Sequence, residues 1–81
     1  MRIDGRAVGE TIKSIRTEKG LSQEVLSGLA DIGRSHLAMI ETGKKTPNIE
    51  TVCKIAGALR MKPSEIIRMA EQRSSGIEAK P

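Results

Sequence analysis

Apolar residues recur along the chain at intervals of three and four, the spacing of one helical face, and Gly, Pro and Asn break the runs. The first run spans Asp4 to Lys19, with Val8, Ile12 and Ile15 on one face and Arg6, Glu10 and Lys13 off it. Gly20 stands where a left-handed helix stop belongs. The second run opens at Ser22, a good N-cap, and covers Gln23 to Ala30; Glu24 suits the positive helix end, and Leu26, Leu29 and Ala30 face one side. Asp31 follows in a turn, where Asp tolerates the left-handed conformation. The third run covers Gly33 to Thr42 and Gly43 stops it. Ile32, Leu37 and Ile40 mark its buried stripe, and Arg34, Ser35, Ala38 and Met39 point elsewhere. A basic loop, Gly43 to Pro47, leads to Asn48, the cap of a fourth run in which Ile49, Val52, Ala56 and Leu59 keep the rhythm. Pro63 opens a fifth, where its missing N–H costs nothing, and Ile66, Ile67, Met69 and Ala70 supply the apolar contacts. No stretch alternates with period two. The pattern predicts an all-α globule of five short helices.

Composition narrows this picture. A chain of 81 residues supports one core. Phe, Tyr and Trp are absent, so that core is built from aliphatic side chains, which favours tightly packed helices. From Gln72 the residues turn polar, so the reading is a domain over 1–71 and a fraying tail over 72–81. Lys plus Arg minus Asp plus Glu is 14 − 10 = +4, which admits a polyanionic partner without requiring one. One Cys rules out an internal disulfide framework and a CxxC metal site. Cys53 reads as a small buried hydrophobe. With one His besides, the catalytic inventory is nearly empty, and no enzyme activity, cofactor or metal is expected. No apolar run reaches the length of a signal peptide or of a membrane helix, and the expected compartment is the reducing cytoplasm.

Two strings are more specific: Gly20-Leu21-Ser22-Gln23-Glu24-Val25-Leu26, and the continuous stretch from Gly33 through Ile40-Glu41-Thr42-Gly43 to Pro47. With Arg16 ahead of them, they resemble the helix-turn-helix of the Cro and lambda-repressor family, also called the xenobiotic-response-element family. The match runs from about Val8 to Ala70. Independently, a turn of only Asp31 to Gly33 lets two short helices cross steeply, leaving the second free to enter a DNA major groove. The resemblance implies a compact five-helix lambda-repressor-like DNA-binding domain, its helix-turn-helix formed by helices 2 and 3, with double-stranded DNA as partner.

It also implies roles. The Gln23 amide contacts a phosphate and braces the recognition helix; Ser22 caps its helix and either touches phosphate as well or only caps. Arg34 is the foremost base reader, since a guanidinium grips guanine O6 and N7 together. Ser35 suits base or phosphate, and His36 either reads a base or lies on the helix flank. Met39 stands where the family usually has a polar reader; its thioether packs on a thymine methyl but forms no specific hydrogen bond. Gly33 replaces the usual Ser or Thr cap, so the recognition helix should start less firmly. Thr42, Lys44, Lys45 and Thr46 are expected on the DNA backbone. Arg16 and Glu41 are expected to form a structural ion pair.

Related repressors dimerise near the end of helix 4 and along helix 5, which assigns Leu59, Met61, Ile67 and Met69 to a two-fold interface and predicts a near-palindromic operator. Small members of this family include restriction–modification controllers, phage repressors and antitoxins, and Arg34-Ser35-His36-Leu37 resembles the controllers most. No small-molecule effector is expected in so short a chain. The alternative is an antitoxin-like or adaptor module whose main ligand is another protein. Val25 and Leu29 fit either that reading or a role in closing an aromatic-free core.

Overall fold

The computed structural model describes residues 3–78, with side chains up to Ser74. Five helices follow one another: α1 (Gly5–Glu18), α2 (Gln23–Ala30), α3 (Arg34–Glu41), α4 (Ile49–Ala58) and α5 (Pro63–Glu78). Among the described residues no strand forms. Local chemistry sets most boundaries. Asp4, Ser22 and Asn48 each accept a backbone N–H from the first turn of α1, α2 and α4 respectively. Four helices then end alike. The residue past the end turns left-handed and the next N–H reaches back into the last turn, as Leu21 does to Arg16 O and Lys44 to Met39 O, at 3.0 and 2.9 Å. Gly20 and Gly43 supply that conformation after α1 and α3. Asp31 and Arg60 supply it after α2 and α4, at φ 57° and 60°.

α1 packs against α5 and α3, α2 against α3 and α4, and α4 against α5. Ile12, Leu26, Leu37, Ile40, Ile55 and Ile66 are wholly enclosed at the centre. Each such side chain contributes roughly 1.5–3 kcal/mol by leaving water. The absence of aromatics is met by close approach. Gly9 lies against α3, where a Cβ would land on the carbonyl oxygen of Ile40.

Two apolar expectations are overturned, at Ile49 and Cys53, and the open question of Leu29 is decided toward solvent. Leu29 is 62% exposed and Ile49 72% exposed. Cys53 is also exposed. The buried arc of α2 runs through Leu26, Ala30 and Ser27, leaving Leu29 beside Val25 on the outer face. The buried arc of α4 runs through Thr51, Val52, Ile55 and Ala56, and Ile49 and Cys53 lie beyond its edge. The fifth helix also continues past Glu71, where the polar tail was expected to begin. Ser74 is buried there and accepts the N–H of Asp4 at 3.0 Å, while Arg73 Nε donates to Thr11 at 3.0 Å. Polar side chains thus zip α5 onto α1. Residues 79–81 of the expected tail lie outside the described residues.

Candidate nucleic-acid interface

The expected ion pair forms, and it is the hub of the site. Arg16 donates from Nε to Glu41 Oε2 at 2.7 Å and from Nη2 to Oε1 at 2.9 Å. Its third nitrogen, Nη1, donates to the Leu21 carbonyl at 2.8 Å. The Gln23 amide donates to Glu41 Oε1 at 2.9 Å. The Glu41 side chain is only 1% exposed. Taking two charges out of water is costly, and this geometry offsets the cost with a bidentate pair whose spare valences are filled. The hydrogen bond to Glu41 raises the Arg16 pKa further, against the opposing effect of burial, so the guanidinium stays charged. Among the described residues every buried polar side-chain atom has a partner. The network ties α1, the start of α2 and the end of α3 into one unit.

The other end of α3 is built differently. Gly33 takes the N-cap position and makes no side-chain cap bond. Leu37, Ile40 and Glu41 point inward, and Arg34 and Ser35 are exposed. At about 100° per residue, Arg34, Ala38, Thr42, Ser35 and Met39 share the outward arc. His36 lies about 200° from Arg34, next to the buried edge, and is half-buried. The structure therefore brings Arg34, Ser35 and Met39 together and sets His36 on the flank. Ala38, half-buried within the arc, was not among the expected readers; a small residue there lets the helix backbone approach a partner closely.

The expected phosphate contacts divide. Ser22 uses its oxygen to accept the Val25 N–H at 3.0 Å and keeps its own proton for another acceptor. Gln23 keeps one amide hydrogen beyond the bond to Glu41. A groove of about 350 Å³ opens beside them, lined by Arg16, Ser22, Gln23, Glu24 and Arg34. Thr42 is a poorer donor than expected, because its hydroxyl already donates to the Ala38 and Met39 carbonyls at 3.1 and 3.2 Å. Lys44, Lys45 and Thr46 are exposed. The backbone N–H groups of both lysines fold back onto Met39 O, at 2.9 and 3.2 Å, which leaves only their side chains for a ligand.

After α4 and along α5, Met61, Ile67 and Met69 are half-buried, and Met61 and Met69 pack against the core. Leu59 is 1% exposed and belongs to the core, so it has no surface to offer a second copy. No helix among the described residues is long and apolar enough to cross a membrane.

Known proteins share this arrangement. A helix-turn-helix family model matches residues 12–66, which include all of α2, the turn and α3. The chain belongs to that family and is a helix-turn-helix transcriptional regulator of the lambda-repressor type. It is 42% identical over 60 residues to the immunity repressor protein of Bacillus phage phi105, covering 74% of this chain and 42% of that protein. It thus spans less than half of that repressor's length. The ImmF control region 10 kDa protein of the same phage is 30% identical over 69 residues, 85% of this chain and 76% of that one. The crystal structure of the restriction-modification controller protein C.AhdI from Aeromonas hydrophila aligns with a TM-score of 0.76 at 35% identity, over 78% of this chain and 96% of that one.

Proposed function

We propose that this regulator binds double-stranded DNA sequence-specifically, as a cytoplasmic homodimer on a near-palindromic operator, with the recognition helix, about residues 33–42, in the major groove. The observation that carries this reading is the way α3 is held. Glu41 is fixed by Arg16 and Gln23, while at the other end of the helix Arg34 and Ser35 stand exposed. In this reading Arg34 grips a guanine edge, Ser35 adds a small polar contact, and Ala38 and Met39 pack on thymine methyls. Ser22, Gln23, Lys44, Lys45 and Thr46 hold the phosphates on either side and set the register. His36 and Thr42 contribute least, given their placement. Met61, Ile67 and Met69 form the two-fold contact, which sets recognition helices about 34 Å apart.

Similarity to a controller and to phage proteins supports a regulator of restriction–modification or phage-repressor kind. Selection from a random duplex pool at about physiological salt tests the proposal. Enrichment of a near-palindrome with half-sites about 10 bp apart is expected. Recovery without enrichment would leave backbone binding alone and remove Arg34 from its role.

A second reading, a module whose main ligand is a protein, draws on Val25, Leu29 and Ile49, which are 47%, 62% and 72% exposed. Co-purification of a stoichiometric second chain together with failure to recover any duplex would favour it.

A further inference from the structure

The first turn of α1 is docked on the loop that follows the recognition helix. Gly43 is left-handed at φ 82°, and a Cβ on it would run into the methylene stem of Arg6. Gly5, one residue earlier, lies against the side chain of Thr46. Arg6, Lys44 and Lys45 are all exposed, and the Arg6 stem lies against the residue next to Lys44 although 38 positions separate Arg6 from Lys44 in the sequence. Among the described residues the ion pair formed is Arg16–Glu41, and neither the N-cap Asp4 nor Glu10 of α1 forms one with Arg6. The Asp4 carboxylate is turned instead to the Arg6 backbone N–H, at 2.9 Å.

We propose that Arg6 is a DNA-backbone contact, a third cation of the Lys44–Lys45 ridge, positioned by the bed that Gly43 makes for its stem. This rests on the DNA-binding reading above. A guanidinium presents paired N–H donors that match two phosphate oxygens, which the lysine ammonium groups do not. A stem already laid across Gly43 loses less side-chain freedom on binding than a free one. Because phosphates carry no sequence information, Arg6 adds affinity and register but no base preference.

The test measures duplex affinity against salt, from about 50 to 300 mM, for the wild type, Arg6→Ala and Arg6→Met. Methionine keeps an apolar stem over Gly43 and removes only the charge. Both variants are expected to weaken binding roughly tenfold, equally on the selected operator and on a scrambled duplex, and to lower the salt slope by about 0.9. The thermal midpoint of Arg6→Met should match the wild type. If Arg6→Met keeps the wild-type slope, the proposal is wrong, and a loss confined to Arg6→Ala would show that the stem only packs. A wild type with no salt-dependent binding would instead remove the DNA reading itself.

Discussion

The two ends of α3 are held by opposite means. At the C-terminal end, Glu41 accepts three hydrogen bonds from two other helices inside a nearly dry pocket. At the N-terminal end, Gly33 supplies no side-chain cap, and Arg34 and Ser35 stand in solvent. The helix is thus clamped where it meets the protein and left open where it meets a partner. Rigidity and availability compete, since any internal partner for Arg34 would have to be given up on binding. Placing all the anchoring at one end lets eight residues do both tasks.

Breaking the clamped end should have the largest effect. Glu41→Ala leaves the Arg16 guanidinium buried without its partner and is expected to lower unfolding stability by about 3–5 kcal/mol, read from thermal or denaturant unfolding. An equal loss in Arg16→Ala, with little extra in the double variant, would confirm that the two act as one unit.

Gly9→Ala attacks the same end through shape. The gain in helix propensity is about 1 kcal/mol, but the new methyl meets the Ile40 carbonyl, so a net loss of about 2 kcal/mol is expected. A stabilised Gly9→Ala protein would show that α1 and α3 do not need this close approach.

At the open end, Arg34→Ala should leave the unfolding free energy within about 0.5 kcal/mol of the wild type. It should cost about 1–3 kcal/mol of discrimination at one base pair per half-site, measured by repeating the duplex selection. Unchanged base preference would refute the role given to Arg34. The smallest effect is expected from Gly33→Ser, which restores a side-chain cap and should stabilise by only a few tenths of a kcal/mol in calorimetry. A larger gain would mean that the start of α3 is frayed in the free protein.

How much of this was legible in advance follows from the range of the forces involved. Caps depend on atoms within four residues, so Ser22, Asn48 and Pro63 announce their helices and Gly20, Asp31 and Gly43 announce the stops. Arg60 went unseen as a left-handed stop because Arg has no preference for that conformation, which here accompanies the Met61 N–H reaching back to Ala56 O at 2.9 Å. The strings around Gln23 and Glu41 pointed to the family, but the hydrogen bond between those two side chains spans 18 positions and is visible only in the fold.

The sequence by itself determined five amphipathic helices, a three-residue turn between the second and third, and an apolar interior without aromatics. The tertiary structure decided which members of each apolar stripe are enclosed. It put Leu59 inside, left Leu29, Ile49 and Cys53 outside, and carried α5 on to Glu78 by giving Ser74 and Arg73 partners on α1. It also laid the stem of Arg6 against Gly43, the residue before Lys44 and Lys45. The reason is geometric. Periodicity fixes the angle of a side chain about its own helix, whereas burial depends on where the neighbouring helices lie, and that is settled only when all five pack together.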